Sequence, residues 1–349
     1  MDLKSLNVRR AVWLDGGPDG DVVLSSRVRI ARNLDGFPFV SRCSDAQRAR
    51  IEELARNVVL SLPIDRPLHY VRLDELTDLY RELLLERHLI GREVAEGHGV
   101  RAIAFDDGEH YSVTVNAEDH LRVRCTGGGL SLEDVYESAD RLDDMLAARI
   151  PFAFSDQYGY LTASPLNVGT GLRASVMLHL PGVVMAHEMD RLAEIARQDN
   201  LAVRGTYGEG THGAGDFYQV CNQVTLGLCE EVIVSQVGRS AKQLCELERS
   251  CRSNLHASHP GEFCERIEKA YELLCSAAAL SSQETLNLLS LVRLGVEMGL
   301  LRAAPMATIN DLFFLTLPAH LQTMEGGELD SAVRNELRAS YVRNRLVTG

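Results

Sequence analysis

Lysine is nearly absent from this chain. Of its 36 Lys and Arg side chains only Lys4, Lys242 and Lys269 are lysine, and the other 33 are arginine. P-loop chemistry, which needs Gly-Lys-Ser/Thr, is excluded, and so is the common protein-kinase fold, which needs a strand lysine with HRD and DFG motifs that are missing here. Any phosphate chemistry must rest on guanidinium groups. Cysteine occurs eight times but never in CxxC spacing, which argues against a zinc ribbon or a disulfide framework. His187-Glu188 is followed by Arg191, so HExxH is broken as well. No apolar run approaches ~18 residues and the N-terminal stretch has no apolar signal core. The expectation is a cytoplasmic protein with no membrane partner. A formal charge of −13 repels nucleic acid on average, so no nucleic-acid partner is expected and local basic clusters need a local reason.

Hydrophobic residues make up 45% of the chain, enough for a substantial core. The stretch Val22 to Ile30 alternates as a strand carrying Arg27 and Arg29 at i, i+2 on one face. Two helices are expected next, one capped by Ser44 and one over Asp74 to Leu89. In YSVTVNAEDHLRVRC the period changes to two, which predicts a hairpin with Glu118 at its tip and Arg122 and Arg124 on the face away from Leu121 and Val123. A helix from Ser131, opening with a capping-box-like S-L-E-D, runs to about Ile150. Further strands are expected near Tyr160, Val203 and Phe217 to Leu226, and from about Glu230 the pattern is helical, its first helix expected over Ser240 to His256.

Four segments carry the chemistry. SSRVRIAR spans Ser25 to Arg32, NAEDHLR Asn116 to Arg122, SPLNVGTGLR Ser164 to Arg173, and VRGTYGEG Val203 to Gly210. Arginine forks at Arg27, Arg29, Arg122, Arg173 and Arg204 suit a polyphosphate, while Glu118 and Glu209 suit a guanidinium. Glycines 169 and 171 allow close backbone approach around Thr170, ahead of ASVMLHL, read here as an apolar helix. The loop RGTYGEGTHGAGD has the composition of a segment that closes over substrate. For each segment taken alone, a surface arginine pair, a glycine turn or a solvated glutamate is an equally ordinary reading.

Together, in this order and spacing, the segments resemble the successive motifs of the ATP:guanido phosphotransferase (phosphagen kinase) family, and within it the bacterial protein-arginine kinase branch. The resemblance implies an α+β fold, an antiparallel guanido-kinase/glutamine-synthetase-like sheet flanked by helices, with a catalytic domain over residues 1–245 and a helical C-terminal domain over 246–349 for dimerisation and phosphoarginine recognition. It implies transfer of the ATP γ-phosphate to arginine side chains of proteins, marking them for Clp-type degradation under stress. ATP and Mg²⁺ are the implied cofactors, with the metal on phosphates and water rather than on protein ligands.

By motif position, Arg27, Arg29, Arg122, Arg173, Arg204 and His88 bind ATP, with His88 beside the adenine, and Glu118 and Glu209 engage the target guanidinium. Implied partners are exposed arginines of protein substrates, an McsA-like activator, a ClpC-type chaperone and a second copy of the chain. Only some two dozen residues precede SSRVR, leaving no room for the helical domain that encloses small substrates, so an open site is expected. Two departures stand out. Ser164 occupies the position where the family motif has cysteine, and Arg334-Asn335-Glu336-Leu337-Arg338-Ala339 carries Asn335 where the phosphoarginine/allosteric motif has aspartate. A non-catalytic phosphoarginine-binding adaptor and a kinase for a free guanidino compound are the alternatives.

Overall fold

Segment VLSSRVRIAR forms the long strand β1 (Val23–Arg32). Helix α1 (Asp45–Val59) follows and is closed by a capping box in which Ser44 Oγ accepts from Gln47 N and Gln47 Oε1 accepts from Ser44 N. Next come β2 (Leu68–Arg72), α2 (Asp78–Glu86), α3 (Arg92–Ala95), β3 (Ala102–Asp106), β4 (Tyr111–Val115) and β5 (Leu121–Gly128). Then follow α4 (Leu132–Ala147), the small hairpin β6 (Phe154–Ser155) and β7 (Gly159–Tyr160), β8 (Leu172–His179), α5 (Pro181–Met185), α6 (Met189–Gln198), β9 (Leu201–Gly205) and β10 (Phe217–Asn222). Six helices complete the chain: α7 (Glu230–Ser258), α8 (Pro260–Ser276), α9 (Ser282–Glu297), α10 (Met306–Leu315), α11 (Pro318–Glu325) and α12 (Ser331–Thr348). The computed structural model describes residues 6, 9–206 and 213–348.

The strands form one eight-stranded sheet, β2-β3-β4-β5-β1-β8-β10-β9, in which every neighbouring pair is antiparallel. The α+β architecture is the expected one. The sheet's apolar face carries Val28, Ile30, Val123, Ala174, Val176 and Val220, which are fully covered by residues of α1, α4 and α7 such as Ile51, Leu142 and Val237. Burial of that face supplies the main driving force for the fold. The opposite face divides into three. At one end it packs against α2 and α3 through Ile103 and Phe105. At the other, Met177 and Phe217 pack on Leu286, Phe313 and Phe314 of the C-terminal helices. The central stretch between them is left as a cleft.

Arg293 of α9, 1% exposed, pins the C-terminal helices to the sheet. Its guanidinium donates to Gly20 O at 2.7 Å, Asp21 O at 3.0 Å and Asn310 Oδ1 at 3.1 Å, and lies 2.9 Å from His179 Nδ1. Burying a charge there is tolerable because most of its donors meet an acceptor.

Four local expectations need correction. ASVMLHL is part of strand β8, not a helix. Arg173, Ser175, Met177 and His179 take one face of the strand and Ala174, Val176 and Leu178 the other, but with Met177 among the first set only Ser175 and His179 mark the two-residue period within so short an apolar run. Ser131 does not cap α4 through its side chain; its Oγ donates to Gly128 O instead. The helix expected over Asp74 to Leu89 is confined to Asp78–Glu86, because His88 turns into the left-handed region at φ 56°. Finally α7 begins ten residues before Ser240 and runs for 29 residues, so residues 245 and 246 lie inside a continuous helix.

Candidate functional site

Register brings the arginines together. Arg29 sits opposite Arg124 on β5 and Arg173 on β8, Arg27 opposite Thr126 and Ser175, and Ala31 opposite Arg122. Met177 pairs with Gln219, which pairs with Arg204 on β9. Residues directly opposite one another in an antiparallel pair share a face. Arg27, Arg29, Arg122, Arg124, Arg173 and Arg204 therefore rise from one surface, and all six line a cleft of about 980 Å³ with His88, Glu93, Ser175 and Gln219.

Carboxylates are few in this cleft, so the guanidiniums act on one another. Burial, then the charges of Arg122, Arg173 and Arg27, push the Arg29 pKa down to about 9. Burial and the neighbouring Arg27 do the same to Arg124, also to about 9. An arrangement whose cations are strained by one another is relieved by a ligand with several negative charges.

The carboxylates present sit at one edge. Arg122 donates from Nη1 to Glu93 Oε1 at 2.8 Å and from Nη2 to Glu118 Oε2 at 3.2 Å, while its Nε is buried with no partner among the described residues. Burial would raise the Glu93 carboxyl, but the hydrogen bond and charge of Arg122 outweigh it and hold the group below its usual value. Glu118 stands at the tip of the β4–β5 hairpin, as expected, with its side chain 43% exposed.

Asp119, the next residue, is fully buried and ties that tip to two other segments. Its Oδ1 accepts from Asn33 Nδ2 and from Ala163 N, both at 2.7 Å. The second bond holds the chain next to Ser164 against the residue after Glu118, so these two sequence-distant positions belong to one corner. Glu209 lies outside the described residues. On either side of that segment Thr206 N donates to Phe217 O and Ala214 N to Thr206 O, both at 2.9 Å, so the chain leaves and rejoins the sheet beside Arg204.

The glycine turn before β8 is positioned from below. Arg32, on the apolar face of β1 and 2% exposed, donates from Nη1 to Thr170 O at 2.7 Å and is paired with Asp143 Oδ2 at 2.7 Å. A side chain at Gly171, where φ is 68°, would meet Ala31 O at 2.6 Å, so this position requires glycine. Because β8 is a strand, the turn offers backbone amides but no helix terminus.

At its inner end the cleft continues into a narrow crevice lined by Trp13, His88, Glu109 and Met177 together with Arg27, Arg87 and Arg124. His88 is held neutral: burial first, then Arg27 and Arg124, lower its pKa to about 3. Its ring lies 6.2 Å from Trp13 and 5.9 Å from Phe314 of α10. Aromatic rings thus enter the site at its inner end only, beside the cations that line the cleft, which suits a ligand with one planar ring and several negative charges.

Arg334, Asn335 and Arg338 are elsewhere, on α12. Arg338, 1% exposed, donates to Thr316 O, Leu280 O and Asn335 Oδ1, each at 2.7 Å, and Arg334 donates to Leu329 O at 2.6 Å. Of the cleft residues, sequence reasoning missed Glu93, Ser175 and Gln219 and left out Arg124. Arg124 was legible, since it shares a face with Arg122; Glu93, on a four-residue helix, carried no periodic signal.

Comparison with known proteins gives a consistent picture. Residues 50–251 match the model of the ATP:guanido phosphotransferase C-terminal catalytic domain, and residues 260–348 that of the protein-arginine kinase McsB C-terminal domain. A protein-arginine kinase of Halothermothrix orenii is 40% identical over 350 residues, covering 99% of each chain. One from Bacillus cereus is 35% identical over 346 residues, covering 98% of each. Lombricine kinase shares the fold, with a TM-score of 0.61 at 23% identity over 71% of both chains. The duplicated taurocyamine kinase of Schistosoma mansoni, with bound transition-state-analogue components, superposes at TM-score 0.61 and 26% identity over 82% of this chain and 41% of its own.

The crowding of cations yields a test that does not depend on turnover. Arg29→Met should leave the melting temperature of the ligand-free protein unchanged or higher, because a buried cation among like charges is removed. It should also lower the stabilisation conferred by tripolyphosphate by on the order of 2 kcal/mol. Loss of ligand-free stability with a full tripolyphosphate shift would contradict this reading.

Proposed function

The chain belongs to the ATP:guanido phosphotransferase family, on its protein-arginine kinase branch, and we propose that it transfers the γ-phosphate of Mg²⁺-ATP to arginine side chains of proteins. The observation that carries the proposal is the meeting of six guanidiniums on one sheet face with Glu118 at the edge of the same face. ATP lies with its base near Trp13 and His88 and its phosphates over Arg27, Arg29, Arg122, Arg124, Arg173 and Arg204. Mg²⁺ enters on the phosphates as part of the substrate.

The target guanidinium has a pKa above 12, so its nitrogen is a poor nucleophile until a base orients it and removes a proton. Glu118, aimed by its bond to Arg122, takes that role. The N–P bond forms, the bond from the γ-phosphorus to the β,γ-bridging oxygen breaks, the proton passes to Glu118 and ADP departs. Glu209 clamps the guanidinium in this reading. Fixed arginine forks stabilise the charge of the transferring phosphoryl group without a lysine.

Protein, rather than a free guanidino compound, suits the surroundings. Leu166 is 71% exposed two residues from Ser164, and Phe154, Tyr158, Val224 and Leu226 are exposed on loops joined to it through Thr225 Oγ1, which donates to Leu166 O and Val168 O, and through the Tyr160–Gly169 backbone bonds. Exposed apolar residues gathered beside a catalytic corner fit a polypeptide.

In the same reading phosphoarginine on clients marks them for a ClpC-type chaperone, an McsA-like activator assists, and the enzyme works as a homodimer in the cytoplasm. A regulatory phosphoarginine site on α12 uses Arg334, with Arg338 fixing the helix to α9's entry and α10's end. We place the junction between the two units at His259, between α7 and α8.

Two substitutions test the roles. Glu118→Gln should abolish transfer to protein while ATP affinity, read by calorimetry, stays within a few fold; retained turnover would remove Glu118 from the chemistry. Ser164 cannot supply the negative charge of a thiolate at neutral pH. Ser164→Cys should therefore raise the rate of phosphoarginine formation, and an equal or lower rate would show that the corner has adapted to the hydroxyl.

A further inference from the structure

Beyond Arg122, on the side of Glu93 and Glu118 away from the phosphate cleft, a second hollow of about 1010 Å³ opens. Its wall includes Arg48 of α1, Arg101, His98, Asn116, Glu93 and Glu118. The two carboxylates are both taken by Arg122. Among the described residues neither arginine is hydrogen-bonded to a carboxylate. Arg48 donates to His98 O at 3.3 Å and Val40 O at 3.1 Å, and Arg101 to Gly99 O at 3.3 Å and to Val94 O, so among the described residues their hydrogen-bond partners are all carbonyl oxygens.

Two buried polar atoms in the same wall, Arg48 Nε and Asn116 Oδ1, have no hydrogen-bond partner among the described residues. Burial and the charge of Arg81, opposed by Asp74 and joined by Arg48, leave Arg101 below its ordinary pKa. The hollow therefore holds two guanidiniums that make no ion pair among the described residues, Arg101 being offset only at a distance by Asp74. It directly adjoins the residue that receives the target guanidinium.

We propose that this hollow is a second anion subsite, which receives a carboxylate carried by the target polypeptide within a few residues of the phosphorylated arginine. The inference rests on the protein-arginine kinase reading and sharpens it: Arg48 and Arg101 become determinants of which arginine is chosen. A carboxylate accepts bidentate bonds from a guanidinium fork, so Arg48 is suited to hold one in fixed orientation. The carboxylate can come from an aspartate or glutamate side chain or from a chain terminus.

The test uses the full-length protein and synthetic peptides with one arginine each. Their flanks carry aspartate, alanine or lysine at positions up to three residues away, and an alanine-flanked peptide is also made with a free C-terminal acid or an amide. KM for an acid-flanked peptide should be about tenfold lower than for the neutral amide, equivalent to about 1.4 kcal/mol, with kcat within a few fold. A preference confined to the free C-terminal acid would assign the subsite to chain ends, and a preference for aspartate would assign it to side chains.

Arg48→Gln should erase the preference while leaving KM for ATP and for the neutral peptide within a few fold, and Arg48→Lys should restore part of it. Equal KM for all flanks in the unaltered protein, or a preference that survives in Arg48→Gln, would overturn the proposal. If no peptide is phosphorylated, the kinase reading fails. Peptide binding measured by fluorescence anisotropy then decides the subsite separately, by whether Arg48→Gln removes tighter binding of the acid-flanked peptide.

Discussion

Six guanidinium groups share one face of an antiparallel sheet, and the repulsion among them is set by strand register rather than by loop conformation. Two unit charges 4 Å apart repel by about 4 kcal/mol at an effective dielectric of 20, so such a face is stable only if the rest of the fold holds it. The apolar face beneath supplies that hold: Val28, Ile30, Val123 and Val176 alternate with the arginines and are fully covered by helices. Each strand therefore faces two ways, with one set of alternating residues buried to stabilise the fold and the other held apart to receive anions. In this account the preorganised cost of crowding the cations is recovered when a polyphosphate binds.

The few carboxylates define direction. Glu93 and Glu118 both engage Arg122, so the negative end of the cleft is joined to its cationic floor through one side chain. Asp119 fixes the hairpin tip to the chain beside Ser164, and Arg32 fixes the Thr170 turn from below, each through buried polar contacts. Loss of any such contact leaves a buried charge or polar atom unpaired, which costs more than the contact itself contributes. The C-terminal helices are part of the same arrangement, because Phe314 reaches the rings of His88 and Trp13 while Arg293 anchors α9 to the loop before β1. A change in how those helices pack would be felt at the inner end of the cleft.

Much of this was legible in the residues. The two-residue period of SSRVRIAR and LRVRC put Arg27 with Arg29 and Arg122 with Arg124, and the hairpin NAEDH put Glu118 at a tip. What could not be read was the lateral order of strands, which alone brings β5, β1, β8 and β9 side by side. ASVMLHL was misread because Met177 leaves only Ser175 and His179 to mark its two-residue period, and the start of α7 was obscured by the β-branched run Val232-Ile233-Val234, whose helix propensity is low. Glu93 and the anion hollow around Arg48 and Arg101 depend on contacts among α1, α3 and the hairpin, with no local pattern to announce them. On α12, the spacing of Arg334 and Arg338 was visible, but not that Arg338 is buried against three acceptors.

Transfer of phosphate from ATP to arginine displayed on a protein is the activity on which the rest turns. The direct measurement incubates the chain with Mg²⁺ and γ-labelled ATP, offering an arginine-rich protein and free arginine in parallel, and scores label that is acid-labile and alkali-stable. Such label is expected on the protein and none on free arginine. Label on free arginine alone, or none on either substrate while ATP still binds, would contradict it.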